Sequence, residues 1–295
     1  MSKDTYSSYV KQLAAKIPKS VVDLSQPRKR GRSPTQAFSE FLTNRNQGDW
    51  AEGLIIRALQ KCDPTIVVVK YGRGDEPVAG EEGFNEFYES YQDELDSIGK
   101  RPDLLIFEKS DIALGTTDIS KLSDDELGKL VPKALAGLEV RSSAALYGKF
   151  SPGKSREWLS FTPKAEDILV ILRWIDKFDV PHFFVQVLFD VAWAIPFDKI
   201  LSLIISPGAK GHSWDIQRYP KNQFKSTIYV NLTEGIKLAD ITELPAITAK
   251  RRELGRGRLL HYVEFNGGSI KVNQEALRSI LETARQWRKT KGGSR

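Results

Sequence analysis

Apolar residues recur along this chain at two spacings, and the order in which those spacings alternate predicts a mixed α/β fold. Thr5 to Ile17 has helical spacing and ends at Pro18, which cannot continue a helix. An irregular segment, Lys19 to Pro34, follows. Helices are expected over Thr35 to Leu42 and from Asp49, a good N-cap, towards Cys62. Thr65 to Lys70 reads as a β-branched strand bounded by Pro64 and Gly72. Glu81 to Ile98 places Phe84, Phe87, Tyr88, Tyr91 and Leu95 at helical spacing, as core contacts. Two short apolar strands, Arg101 to Glu108 and Ala136 to Ser143, flank a helix over Asp124 to Leu135 with Pro132 as a kink point. Thr162-Pro163 is a helix start and the helix runs to Phe178. His182 to Asp190 is nearly continuously apolar, as in a strand covered on both faces. Pro196 to Ile205 reads as helix, Thr227 to Leu232 and the segment around Leu259 to Phe265 as strands, and Val272 to Trp287 as a last helix. Lys289 to Arg295 is expected to be an unstructured tail.

The two central strands carry acids at their ends. Side chains i and i+2 of a strand share a face, so Glu139 and Arg141 point together while Leu138 and Val140 pack beneath them. A carboxylate buried among apolar neighbours is costly unless a cation or donor compensates it. Two of them, Asp103 and Glu139, on adjacent strands suggest a shared divalent metal.

Composition narrows the function. At 295 residues, with 40% hydrophobic and 28% charged residues, the chain can bury a large core as one domain or two. No apolar run approaches a membrane span and the start Met1-Ser2-Lys3-Asp4 is no signal peptide, so a cytoplasmic protein is expected. The one cysteine, Cys62, rules out an internal disulfide and a multi-Cys zinc site, and the three histidines are scattered. The absence of a GxxxxGK[ST] motif disfavours nucleotide hydrolysis. A net charge of +6 and a pI near 9.2 favour a polyanionic partner. The charge is clustered in Arg28-Lys29-Arg30-Gly31-Arg32 and again in Lys250-Arg251-Arg252 with Arg256-Gly257-Arg258. Each cluster is either a solvated basic loop or a contact for a sugar-phosphate backbone, and the first could thread a groove as an arm or become ordered only in a dimer. Gly208 to Ser226, with Arg218, Asn222, Gln223 and Lys225, is the best guess for elements that read bases.

Pro102-Asp103 followed by Glu139-x-Arg141 resembles the PD-(D/E)xK nuclease signature, with Arg where the pattern normally has Lys. Gln47-Gly48-Asp49-Trp50-Ala51-Glu52, Leu138 to Ser143, and Ser160 to Asp167 with its sequel through Asp190 are similar to the AccI-type family of type II restriction endonucleases. The likeness spans roughly Phe38 to Glu234. It implies a mixed central sheet flanked by helices, with residues 35–290 as the nuclease domain, 1–34 as an N-terminal helix and basic arm, and 291–295 as a tail. It also implies Mg2+ held by Asp103 and Glu139, with Glu52 as a further metal or water ligand; without that role, Glu52 would be a first-turn helix carboxylate favoured by the dipole. Lys164 or Lys149 would act on the attacking water, and Arg141 would stabilise the phosphorane or pair with Glu139. Ser142 and Ser143 would donate to phosphate oxygens. Partners would be duplex DNA with a short near-palindromic target, a second copy of the chain, and functionally a cognate DNA methyltransferase. Two other readings stay open: a repair or recombination nuclease that recognises DNA shape, and a DNA-binding protein without chemistry whose Asp103 and Glu139 only pair with Arg101 and Arg141.

Overall fold

A computed structural model describes residues 3–73, 77–113, 115–153, 157–219 and 222–292. The chain opens with helices α1 (Lys3–Ala15) and α2 (Ser39–Cys62), strand β1 (Ile66–Lys70), helix α3 (Phe84–Ser97) and strand β2 (Leu104–Glu108). Helix α4 (Asp124–Leu130), strands β3 (Ala136–Ser142) and β4 (Ser160–Phe161), helix α5 (Ile168–Phe178), strands β5 (His182–Val187) and β6 (Val191–Pro196) and helix α6 (Phe197–Ile205) follow. The remainder is mostly strand: β7 (Trp214–Tyr219), β8 (Asn222–Asn231), β9 (Ile236–Glu243), β10 (Ala246–Leu254), β11 (Arg258–Asn266) and β12 (Ser269–Val272), before the closing helix α7 (Gln274–Gly292).

Seven strands form one sheet in the order β1-β2-β3-β5-β6-β9-β12. The β3–β5 pair is parallel, with α5 as its crossover, and the other neighbours are antiparallel. This is the mixed, helix-flanked sheet expected from the sequence. Strand alternation splits the apolar side chains between two cores. Leu104, Ile106, Leu138, Val140, Phe183 and Val185 pack with Trp50, Leu54 and Ile55 of α2 and Leu277 and Leu281 of α7. Leu105, Phe107 and Phe184 join Trp174 and Ile175 of α5, Phe197 and Leu201 of α6 and Val10 of α1 on the opposite face. Every residue of β5 is buried, as its unbroken apolar run demands. Two smaller assemblies stand apart from the main sheet: β4-β8-β7, and the two-stranded ribbon β10–β11. Among the described residues, no helix is long and apolar enough to cross a membrane.

Several boundaries differ from the sequence reading. The two helices expected over Thr35 to Cys62 are one, α2, with Asp49 in its interior. Its continuous buried stripe, Leu42, Trp50, Ala51, Leu54, Ile55, Ala58 and Leu59, outweighs the roughly 1 kcal/mol that Gly48 costs inside a helix. Glu52 is therefore a mid-helix residue and not a first-turn one. Lys164 does not start a helix; its backbone is extended (φ −85°, ψ 135°) and bridges Thr227, so α5 begins only after the 3-10 turn Ala165–Asp167. The helix predicted to reach Leu135 stops at Leu130 and tightens into a 3-10 turn around Pro132, which has no N–H for an interior α-helical bond. The strand predicted to reach Asp190 ends at Val187 and reverses into β6. The last helix extends through Gly292, so 289–292 are helical where a tail is expected. Residues 293–295 lie outside the described residues.

His182 is fully buried between Trp174, Phe184 and Phe197, with both ring nitrogens unpartnered among the described residues. Burial lowers its pKa to about 4. Between that value and the unfolded one the unfolded chain binds the extra proton, so stability falls as pH drops from about 6.5 towards 4. Going from pH 7.5 to 4.5, the wild type should lose about 2–3 kcal/mol more unfolding free energy than His182→Leu, measured by urea titration. Parallel pH profiles for the two proteins would show that the imidazole is not the group responsible.

Candidate active site

The candidate centre forms where α3 hands the chain to β2. Gly99 has φ +89°, and a Cβ there would sit 2.2 Å from the Val170 carbonyl oxygen, so only glycine permits this turn against α5. The turn places Lys100, Arg101 and Pro102 just ahead of β2. Pro102 fits against β3 because Gly137 has no side chain; a Cβ there would lie 2.7 Å from Pro102 Cγ. The register pairs Leu104 with Leu138, which sets Asp103 opposite Glu139. Asp103 is held on both sides: its Oδ2 accepts from the Val140 N–H at 2.7 Å, and its carbonyl accepts from the N–H groups of Tyr71 and Gly72 at 2.9 Å each.

Glu139 lies on the α5 face of β3 and is 1% exposed. Its Oε1 accepts from Lys100 Nζ at 2.6 Å and from Arg141 at 2.5 Å, and Lys100 also reaches Asp167 Oδ2 at 2.8 Å. Burial raises the pKa of Glu139, but Lys100 and then Arg141 outweigh it and bring it down to about 2. Burial opposes the charge of Lys100 as well, yet Asp167 and Glu139 raise its pKa, while Glu139 raises that of Arg141. Asp103 goes the other way: burial, then the charges of Glu139 and Glu52, push its pKa well above the usual carboxylate range. Glu52 reaches the same end of the sheet from α2. Burial lifts it to about 7, the charges of Asp49 and Glu139 add to the rise, and Lys70, 3.6 Å away, opposes it. The three acids feel one another's charge.

The donor set fits a hard divalent cation in part. Asp103 and Glu139 supply carboxylate oxygens, and Glu139 Oε2 is buried with no partner among the described residues. Those residues contain no group of three His, Cys, Asp or Glu side chains already gathered as cation ligands. Lys100 and Arg141 hold Glu139, and Lys70 draws on Glu52. Arg141 Nε and Gln186 Oε1, register partners on β3 and β5, are likewise buried and unpartnered.

The other residues singled out from the sequence are dispersed. Lys164 is exposed near Asp167, and Lys149 is exposed in a 3-10 turn, Tyr147–Lys149, after β3. Ser142 faces the buried Gln47 of α2, with amide and hydroxyl 2.9 Å apart, and the Ser143 N–H bonds to Val187. In the N-terminal arm, Arg28 bonds Asp96 and Gln92 and Arg30 bonds Asp93 and Asp96, so both lie along α3; Lys29 neighbours them and Arg32 is exposed. Arg218 bonds the Ser20 carbonyl and Lys225 is exposed, while the side chain of Asn222 lies outside the described residues. Arg251 is exposed on β10, and Arg252 makes a bidentate pair with Glu81 at 2.7 and 2.9 Å. Arg101 pairs with Glu94 at 2.9 Å. Lys100, Asp167, Gln186 and Lys70 were assigned no site role from the sequence, although Asp167 and Gln186 lie in the AccI-like stretch Ser160 to Asp190. The only signal for Lys100 was its place after Gly99 and three residues before Asp103, and the other three are brought in by strand pairing and helix packing.

A family model described as AccI restriction endonuclease matches residues 4–154 and 151–287. The chain belongs to the AccI restriction endonuclease family. No curated protein and no solved structure matches it. As a member of the AccI family it is a nuclease whose substrate is DNA. Restriction endonucleases of this kind generally use divalent metals.

Cation binding should compete with protons at Glu52 and Asp103, whose carboxyls are raised in the folded state. Affinity for Mg2+ or Ca2+, measured by isothermal titration calorimetry, should rise between pH 6 and 8, and Glu52→Gln should flatten that rise. Equal affinity of the wild type at both pH values would exclude Glu52 from the site.

Proposed function

We propose that the chain is a type II restriction endonuclease with a PD-(D/E)xK-type centre, hydrolysing both strands of DNA at a short near-palindromic site with Mg2+. The observation that carries this reading is the placement of Asp103 and Glu139 across the paired strands β2 and β3, with Glu52 arriving from α2. The order α2, β1, β2, β3, α5, β5, with β5 parallel to β3, supports it as the core such a centre needs. Asp103 and Glu139 would hold the ion and Glu52 would assist. The chemistry Mg2+ supplies when bound is neutralisation of charge on the phosphoryl oxygens and acidification of water.

The chain's own residues do the rest. Lys100 fixes the orientation of Glu139 and sets an ammonium beside it, the position for which Lys164 and Lys149 were the candidates. Arg141 keeps Glu139 ionised and brings a guanidinium to the phosphate side. Arg32, Lys225 and Arg251 are the exposed cations for the DNA backbone or bases, together with Ser142, Ser143, Arg218 and Asn222, while Arg28, Arg30 and Arg252 are engaged within the chain. Symmetry of the target calls for a homodimer, and a cognate methyltransferase would protect host DNA in the cytoplasm. The Glu139–Arg141 pair also suits a DNA-binding protein without chemistry, but Arg101 turns to Glu94 and leaves Asp103 without the partner that reading assigned to it.

Incubation with a fully sequenced phage DNA and Mg2+ should give discrete fragments whose mapped ends share one short motif. Smearing or branch-dependent nicking would point to a repair nuclease. Asp103→Asn and Glu139→Gln, which keep the side-chain shapes, should each lower cleavage about a thousandfold, the loss of roughly 4 kcal/mol of transition-state stabilisation, with DNA binding retained. Full activity in both variants would remove the centre from consideration.

A further inference from the structure

The ribbon β10–β11 is built unlike the rest of the protein. Its nine-residue strands reach about 30 Å and pair only with each other. It lies along the N-terminal half of α2. Phe265 packs against Trp50 at one end, the Val263 N–H bonds Thr43 Oγ1 in the middle, and Leu254 and Leu260 pack with Ala37, Leu42 and Val78 at the other. Trp50 Nε1 also donates to the Gly267 carbonyl at 2.9 Å, two residues before Glu52 on the same helix. One helix thus carries both an acid of the candidate centre and the base of the ribbon.

The ribbon's two faces differ. Arg252, Lys250, Leu260 and Tyr262 share one face by register, and there Arg252 is tied to Glu81 and Lys250 approaches Glu264 at 3.4 Å. The opposite face packs on α2 at one end through Val263 and Phe265; along the rest of it Ile247, Ala249, Arg251, Glu253, Leu259 and His261 are exposed, with Ile247 and Leu259 at 62% and 49%. Among the described residues the side chains of Arg251 and His261, register partners on this face, make no hydrogen bond or ion pair. Residues 246–266 contain five Lys or Arg against two Glu, so the element is locally more basic than the chain. Negatively charged surface is its complement.

We infer that the outer face of the β10–β11 ribbon enters the major groove of the DNA, with Arg251 and His261 as the side chains that read base edges. The inference rests on the nuclease reading above and assigns its specificity element. A B-form major groove, about 12 Å wide, admits a two-stranded ribbon, and a guanidinium fits the two acceptors of guanine while an imidazole can donate or accept. The exposed Ile247 and Leu259 suit thymine methyl groups. The other hairpin, β7–β8, also has one face committed to the fold, through Trp214, Ile228 and Val230, and on its other face Asp215 accepts from the Ile216 N–H and Gln217 from the Tyr229 hydroxyl, so those polar groups are already engaged within the chain.

The test uses the full-length protein with a library of duplexes randomised over the cleavage motif, sequenced after digestion. Arg251→Ala should keep the wild-type melting temperature, relax base preference at one symmetry-related pair of positions, and lower kcat/KM on the preferred site about 10- to 100-fold. His261→Ala should relax a different or adjacent position. A uniform loss of affinity across all sequences, with the salt dependence reduced by about one ion, would make Arg251 a backbone contact and overturn the assignment. Unchanged preference and rate in both variants would remove the ribbon from the DNA, and a fall to half the native mass in sedimentation would identify it as an interface between copies. In each of those outcomes cleavage by the wild type still stands, so failure of the ribbon assignment is separable from failure of the nuclease reading.

Discussion

A buried carboxylate between two cations organises the centre of this protein. Glu139 is removed from water on the α5 face of the sheet, and its charge survives there because Lys100 and Arg141 both bond the same oxygen. Removing one partner of such a buried pair typically costs 3–5 kcal/mol, since the remaining charge has neither water nor a counter-ion. The constraint spreads outward. Lys100 must be delivered by the Gly99 turn against α5, Asp167 must meet it at the entry to α5, and Gly137 must stay bare so that Pro102 and Trp174 can close over the strand. The sheet's central pairings and the position of α5 are thus coupled to one ion cluster.

Charge around that cluster is deliberately unequal. Glu139 is held ionised, whereas Asp103 and Glu52 are pushed towards the protonated state by burial and by each other. Acids in such an arrangement gain from positive charge beyond what Lys70, Lys100 and Arg141 supply. In the proposed reading this links the fold to a metal-assisted nuclease: the scaffold gathers carboxyls whose charge it does not fully compensate, at an end of the sheet reached by strands and by α2 alike.

Basic residues divide in the same manner into those spent on the fold and those left outside it. The arm residues Arg28 and Arg30 neutralise the acidic side of α3, and Arg252 clamps the ribbon to Glu81. Arg251, one residue away on a strand, faces outward because successive side chains alternate. Local clustering in the sequence marks both classes alike; direction separates them.

Read by itself, the sequence determined the mixed α/β class, the strands beside Asp103 and Glu139, the wholly buried β5, and the AccI-family likeness through Gln47 to Glu52, Leu138 to Ser143 and Ser160 to Asp190. Each of these is written in short-range spacing or in contiguous residues. Tertiary structure decided the rest. It fused two expected helices into α2 because the sheet buries one continuous stripe, and it moved Lys164 into an extended bridge because β8 lies alongside. It also brought Lys100 and Asp167, 67 positions apart, onto one carboxylate. Contacts of that kind depend on strand register and helix packing, which no local spacing encodes, so the partners of the buried acid became visible only once the chain was folded.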